Sequence, residues 1–470
     1  NKSITFTGYF PLLNENDLYV FNGNMVNHSK SGEQFNVSSY EVVLPEEKDN
    51  IVEFLCSDIF PGIGERKASK IVEVLGDDCL SVILETPDNL LLVPGVTSKQ
   101  KDTIYDNLVK YRESYLTIVE LTSYGFNMKD ALSIYNKYKS MTISVFSSNP
   151  YKLIDDITDI TYKKIENIRH NLSISDDDKN RIKASVTYVF SFVCFSYGNT
   201  YMLYDEIISF TKRLLGFESS SLIIDCLSEM VSSGEVVKYE EKYFLKNMYE
   251  MERYVANRIF NLANSFTKFN YENIDSSIEE LKSLLGISYN SCQISAIREA
   301  FVNNLLVITG GPGTGKTTII NAICKLYSSI NGVSYDEMMD SFVLLAPTGR
   351  AAKRVSEQTG YVASTIHRFL KWNKEDNSFR VNEENKSSAK VVVVDEVSMV
   401  DISLLYSLFL GIDDDTKVIL IGDFNQLPSV GPGQVLKDII LSDCVNVVKL
   451  EKLYRREETS NITLLAHDII

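Results

Sequence analysis

The spacing of apolar positions changes character along the chain. Over residues 1–45 short aromatic and β-branched runs dominate, among them Leu18-Tyr-Val-Phe21, Phe35-Asn-Val37 and Tyr40-Glu-Val-Val-Leu44, separated by Asn/Gly/Ser-rich turns. Such runs predict a small barrel or sheet fragment over 1–48. Helical spacing follows. Phe60-Pro-Gly-Ile-Gly-Glu-Arg-Lys-Ala-Ser-Lys-Ile71 and Val93-Pro-Gly-Val-Thr-Ser-Lys-Gln-Lys-Asp-Thr-Ile104 repeat one plan, a Pro-Gly turn between helical stretches, and a weaker third copy lies at Ile157–Ile168. We expect tandem helical hairpins over 49–175 and a helical region over 176–285. In the latter, Gly234–Leu245 reads as the hairpin of a winged helix, and Asp176–Asp178 reads as the acidic first turn of a helix. From about residue 286 the pattern becomes strand, glycine turn, helix, strand, with buried runs at Leu305–Ile308, Phe342–Ala346, Val391–Val394 and Val418–Ile421. That alternation predicts an α/β domain over 286–450 with a mostly parallel sheet. The chain therefore reads as multi-domain.

The α/β part carries the chemistry. The strand Leu305–Thr309 runs into Gly310-Gly-Pro-Gly-Thr-Gly-Lys-Thr-Thr318 and then into a helix. This is Gly-x-x-x-x-Gly-Lys-Thr in the strand–loop–helix setting in which backbone amides of a glycine loop and a helix start converge on phosphate. Gly311, Gly313, Thr314, Gly315, Lys316, Thr317 and Thr318 are the expected phosphate-binding positions. Lys316 is placed to reach the outer phosphates and Thr317 to ligate Mg²⁺. Four valines then lead into Asp395-Glu396, two acids at the carboxyl end of a central strand, where open α/β sheets bind ligands. Asp395 suits Mg²⁺, and Glu396 suits orienting and deprotonating a water. Gln426 after the next strand, Arg455 beyond the domain and Gln293 before it are candidates for the γ-phosphate, the transferred charge and adenine respectively.

Composition adjusts this picture in three ways. At 470 residues the chain has room for about three domains. A net charge of −16 is unusual for a nucleic-acid binder and argues against non-specific coating of DNA. Seven scattered cysteines without a Cys-x-x-Cys pair, and four isolated histidines, fit buried thiols in a reducing compartment and neither a disulfide frame nor a zinc site. The longest strongly apolar stretch, Tyr188–Tyr197, falls well short of the roughly 20 residues that span a bilayer, and no secretory leader opens the chain. The first residue is Asn, so the amino end reads as cut or processed.

Taken together, several segments resemble the motifs of RecD-like superfamily 1 DNA helicases. Gln293 matches the adenine-reading motif. Ala346-Pro-Thr-Gly-Arg-Ala-Ala352 and Ser364-Thr-Ile-His-Arg-Phe-Leu370 resemble the motifs that contact single strands. Val394-Asp-Glu-Val-Ser-Met-Val-Asp401 and Gly422-Asp-Phe-Asn-Gln-Leu-Pro-Ser-Val-Gly431 resemble the Mg²⁺ and coupling motifs, and Leu453-Tyr-Arg-Arg456 resembles the start of the fourth. Gly8-Tyr-Phe, Ser31-Gly-Glu-Gln-Phe35 and the tandem hairpins extend the likeness to the long members of that family, with an OB-like front segment and helix-hairpin-helix units. Two positions depart from the pattern. Arg455-Arg456 stands for the usual Arg-Gln, and Thr97 stands where the second hairpin would carry glycine. The resemblance also makes the chain a fragment, with residues 451–470 beginning a second RecA-like domain.

The resemblance implies an ATP- and Mg²⁺-dependent motor that moves 5′→3′ on single-stranded DNA, or on duplex with a single-stranded 5′ tail, in repair or recombination. It would be a cytoplasmic monomer without membrane contact, working beside single-strand-binding or repair proteins. Pro347, Thr348, Arg350, Thr365 and His367 would hold DNA phosphates without reading sequence. Trp372 or Phe379, on a hairpin insertion near 371–388, would stack on a base, and Gly62 and Gly64 would approach backbone phosphate. The rival reading is a DNA-binding adaptor with a nucleotide switch; Glu396 and Gln426 argue against it, because a switch needs neither. A nuclease is not expected, since no further acid cluster has metal-ligand spacing.

Overall fold

The computed structural model describes residues 5–7, 18–28, 32–43, 48–56, 60–76, 78–265, 273–374 and 377–450. They fall into two compact units, 1–184 and 185–470. No helix among the described residues is long and apolar enough to cross a membrane.

In the first unit, β1 (Thr5–Thr7), β2 (Leu18–His28) and β3 (Gly32–Val43) form a sheet of order β1-β3-β2. β2 and β3 are antiparallel, with a register shift at Asn22/Gly23. A Cβ at Gly23 would collide with the Asn36 carbonyl oxygen, so only glycine lets the strands approach there. The helices Lys48–Leu55 and Glu65–Leu75 form the first hairpin, around Ile51, Phe54, Phe60 and Ile71. Gly62 turns it at φ +84°, and extended Gly64 starts its second helix. In the second hairpin Gly95 makes the turn at φ +93°. Thr97, standing in the expected glycine position, caps the long helix Ser98–Ser123 in a reciprocal box with Gln100. Gln100 also ties the two hairpins together: its Nε2 donates to the Gly62 carbonyl at 3.4 Å, and its Oε1 accepts from Lys67 Nζ at 2.9 Å. The third copy is the pair Lys152–Asp156 and Tyr162–Ile168, the latter capped by Thr161.

The acidic run Asp176–Asp178 lies just before its helix, not in the first turn. That helix is Lys179–Tyr197; Asp178 Oδ1 accepts from the Arg181 amide at 2.9 Å, while Asp176 takes the guanidinium groups of Arg169 and Arg181. A carboxylate ahead of the first turn satisfies an amide that the helix itself leaves open, which is worth more than dipole attraction alone.

The second unit opens with a small winged arrangement. β4 (Met202–Leu203), β5 (Val236–Tyr239) and β6 (Lys242–Leu245) form a sheet of order β4-β6-β5 beside the helices Tyr204–Leu215 and Ser221–Ser233. The hairpin expected at Gly234–Leu245 is the β5–β6 pair.

The main sheet uses β7 (Leu305–Gly310), β8 (Phe342–Ala346), β9 (Ala363–Thr365), β12 (Val391–Val394), β13 (Lys417–Gly422) and β14 (Asn446–Leu450). Between β9 and β12 a small hairpin, β10 (Trp372–Asn373) with β11 (Ser378–Phe379), stands apart from it. The six strands run parallel in the order β14-β7-β13-β12-β8-β9. Successive residues of each strand enter opposite cores: Leu306, Ile308, Val391, Val393, Ile419 and Ile421 on one face, Leu305, Val307, Val392, Val394, Val418 and Leu420 on the other. Helices cover both faces, which is why these strands are continuously apolar. Lys417, nearly fully buried, donates to the carbonyls of Ala300 and Phe301 at 2.9 and 2.8 Å and so closes the end of the helix Ser291–Val302.

Candidate functional site

Because all six strands are parallel, their carboxyl ends lie along one edge. The order β14-β7-β13-β12-β8-β9 puts the glycine loop after β7, the Gln426 loop after β13 and Asp395-Glu396 after β12 side by side. The segments Pro347–Arg350 after β8 and Thr365–His367 after β9 continue the same edge. One edge thus carries both sets of expected contacts, phosphate-handling at one end and DNA-handling at the other.

The glycine loop turns through Gly313 at φ +82° and Gly315 at φ +91°, backbone that side-chain-bearing residues avoid. The helix Lys316–Asn331 begins there, aiming its free amides at the loop. Lys316 Nζ donates to the carbonyls of Gly310 at 2.5 Å and Gly311 at 3.0 Å, and the buried Thr314 hydroxyl donates to Gly311 at 2.9 Å. Thr317 and Thr318 follow on the first turn, half-buried and exposed respectively. Gln293 starts a different helix, Ser291–Val302, yet reaches the loop: its Nε2 donates to the Thr314 carbonyl at 3.2 Å, while its Oε1 accepts from the Asn290 amide at 3.1 Å. Its amide, expected to face adenine, is here engaged at both ends by protein backbone.

Asp395 is 8% exposed and hydrogen-bonds the β8 backbone through its own amide, 2.8 Å from Leu345 O. Burial, and then the charge of Glu396, push its carboxyl up to about 6, against the pull of the neighbouring backbone amide and the positive charges of Lys316 and Arg354. Lys316 and Asp395 therefore feel each other across one space. Asp395 Oδ1 and Glu396 Oε2 are buried without a hydrogen-bond partner. Glu396 also sits at φ +54°, ψ +41°, a left-handed conformation that costs a glutamate about 1 kcal/mol or more. Two orphaned carboxylate oxygens are hard-oxygen donors, the kind that hold Mg²⁺ through one or two protein ligands plus phosphate. The residues fit the ion.

Gln426 Oε1 accepts from the Ser398 hydroxyl at 3.2 Å. Both line a cavity of ≈ 280 Å³ with Asp423, Gln434 and Lys437. The loop is anchored to the neighbouring strand by the Phe424 amide, which donates to Thr309 Oγ1 at 3.1 Å. Ser398, Thr309 and Arg354 were not singled out from sequence. Ser398 had a readable signal, standing two residues beyond the acid pair; the other two depend on which strand lies next to which. Arg455 and the start of the expected second RecA-like domain lie outside the described residues.

At the end of the edge where DNA contacts are expected, the Thr348 hydroxyl caps the helix Gly349–Thr359 at 3.2 Å from the Ala351 amide, and that of Thr365 caps Ile366–Phe369 at 3.1 Å from the Arg368 amide. Pro347 is half-buried, and Arg350 and His367 are exposed. The β10–β11 hairpin pairs Trp372 with Phe379, ring centroids 4.7 Å apart, and the His367 ring lies 6.2 and 5.7 Å from the two. Trp372 stays 40% exposed, so one aromatic surface remains open. Gly62 and Gly64 belong to the first unit.

Three family models match the chain: an AAA domain over residues 293–432, the HHH domain of ATP-dependent RecD2 DNA helicase over 110–201, and the OB-fold domain of ATP-dependent DNA helicase YrrC over 1–45. The ATP-dependent RecD2 DNA helicase of Deinococcus radiodurans is 25% identical over 99% of this chain and 65% of its own length. The RecBCD enzyme subunit RecD of Mycolicibacterium smegmatis is 33% identical over 35% of this chain and 32% of its own, and that of Buchnera aphidicola subsp. Schizaphis graminum is 29% identical over 45% and 38%. The chain thus spans less than two thirds of the length of these relatives. The Pif1 helicase of Candida albicans superposes with a TM-score of 0.28 at 20% identity, over 39% of this chain and 44% of that one, too slight a likeness to carry an argument. With a helix-hairpin-helix region, a parallel-sheet phosphate-loop domain and a small β segment at the front, and with the RecD2 match running through nearly all of it, the chain belongs to the RecD-like branch of superfamily 1 DNA helicases.

Proposed function

We propose that this chain carries the first ATPase domain of an ATP-driven motor that moves 5′→3′ on single-stranded DNA and opens duplex ahead of it, in repair or recombination. It would act as a cytoplasmic monomer that meets single-strand-binding or repair proteins at its substrate. The observation that carries the reading is the shared sheet edge: the glycine loop, two acids with buried, unpartnered oxygens and Gln426 follow three adjacent strands, and the two segments expected to face DNA follow the next two.

Thr317 and Asp395 would hold Mg²⁺, which when bound supplies charge neutralisation for the phosphates. Loop amides and the start of the helix Lys316–Asn331 orient the triphosphate. Lys316, held in the structure by two loop carbonyls, exchanges them for phosphate oxygens. Glu396, half-buried beside Asp395, orients the attacking water and takes its proton. Gln426 contacts the γ-phosphate from a loop that Thr309 ties to the strand of the glycine loop, so its position changes with the nucleotide. Arg455 would stabilise the transferred charge. Thr348, Arg350, Thr365 and His367 hold backbone phosphates, Pro347 shapes the turn that presents Thr348, and Trp372 stacks on a base. Gly62 and Gly64 would let amides of the first hairpin approach a DNA phosphate.

The test uses the full-length protein and duplexes carrying a 5′ or a 3′ single-stranded tail. ATP-dependent unwinding of the 5′-tailed duplex alone, and single-strand-stimulated hydrolysis lowered at least about 100-fold by Lys316→Ala, are expected. Unwinding that survives Lys316→Ala refutes the site; hydrolysis indifferent to single strands refutes the motor.

A further inference from the structure

We infer that Gln293 is a positioning residue for the phosphate loop, turning the Gly315 amide into the cradle; the inference rests on the ATP-site reading above. Gln293 is 3% exposed. Its rotamer is fixed from its own helix, because Oε1 accepts from the Asn290 amide at 3.1 Å while Asn290 Oδ1 accepts from the Gln293 amide at 2.8 Å. That leaves Nε2 aimed outward, and it donates to the Thr314 carbonyl at 3.2 Å. In a planar trans peptide the carbonyl and the following N–H point in opposite directions. Drawing the Thr314 carbonyl toward Gln293 therefore drives the Gly315 N–H to the other side, toward the concavity of the loop.

Two further features support this. Gly315 stands at φ +91°, where glycine reorients easily, so its peptide needs an external hold to keep one direction. A Cβ at Gly315 would collide with Gln293 Nε2, so the amide occupies the space a side chain would fill. Glycine and glutamine are matched across this contact. Thr314 is also held from its side chain, which donates to Gly311 at 2.9 Å. Without Gln293 the Thr314–Gly315 peptide is free to turn its carbonyl toward phosphate, replacing a donor with a repelling acceptor.

A baseless ligand separates this role from adenine reading. The probes are Mg²⁺ with inorganic tripolyphosphate, ATP or GTP, titrated against the 470-residue chain and its Gln293→Ala and Gln293→Glu variants. Gln293→Glu keeps an acceptor for the Asn290 amide, and thus the helix cap, but sets a carboxylate oxygen against the Thr314 carbonyl. Both variants should weaken tripolyphosphate binding at least about fivefold, the weight of one buried hydrogen bond, and weaken ATP and GTP by the same factor. Tripolyphosphate affinity unchanged in both variants while ATP loses its preference over GTP overturns the inference and leaves the ATP site standing. An unsubstituted chain that binds none of the three refutes the ATP site, and the inference with it.

Discussion

Replacing Asp395 with asparagine removes an ionisation that the fold resists. The carboxyl rises from 3.8 to about 6 inside the protein, chiefly because burial disfavours its charge. A group that binds its proton more tightly in the folded than in the unfolded state makes stability fall as pH rises through the interval between the two values. Below about pH 3 both states are protonated and Asp395 adds no cost. By pH 7 the folded chain carries the full penalty, two pKa units or slightly more, about 3 kcal/mol at roughly 1.4 kcal/mol per unit. The substituted amide does not titrate, so the stability of D395N relative to the unsubstituted chain should climb by about that amount between about pH 3 and pH 7. Taking the difference cancels every carboxylate the two proteins share. Urea titrations at half-unit pH steps, read by fluorescence, follow the relevant unit alone, since the chain's single tryptophan is Trp372 in the second unit. A flat difference across the interval would show Asp395 to be solvated or paired, and the account of two unpartnered buried acids would fail. The same variant should lose Mg²⁺-dependent nucleotide hydrolysis, so stability and activity should move in opposite directions.

Three other outcomes are expected. Phe409→Ala, at a fully buried ring in the core on the Lys246–Asn264 side of the sheet, should destabilise the second unit by about 3–5 kcal/mol in the same fluorescence titration. Trp372→Ala should weaken binding of a single-stranded oligonucleotide by about 1–3 kcal/mol with no loss of nucleotide affinity; unchanged DNA affinity would make the aromatic trio a packing device. Thr97→Ala removes the reciprocal cap of the helix Ser98–Ser123 and should cost about 1 kcal/mol of first-unit stability by amide exchange, whereas a cap without weight would leave exchange at Lys99–Lys101 unaltered.

The candidate site was legible to different depths. Gly310–Thr318 and Asp395-Glu396 could be read because the chemistry is written in contiguous residues with a strand on one side and a helix or turn on the other. The central strands were legible for the same reason, as burial on both faces demands unbroken apolar runs. β9 and β14 were not, since edge strands of three and five residues with half-exposed positions lack that signature. Asp176–Asp178 was placed a turn too far into its helix, because sequence signals a cap and a first turn with the same residue types. Gln293 illustrates the limit best. The sequence reads it as an adenine contact; in the structure it closes a capping box with Asn290, and its second bond crosses to Thr314.

Contiguous sequence determined which segments can be strands, where backbone must turn left-handed, and which side chains can handle phosphate, metal and water, because each of these depends on neighbours a few bonds away. Only the tertiary structure decided the strand order, and with it that Lys316, Asp395 and Gln426 share one edge with Thr348 and Thr365. It also decided that Asp395 and Glu396 keep unpartnered oxygens and that Gln293 supports the loop. Those facts turn on burial and on contacts between residues far apart in the chain, which no local pattern encodes.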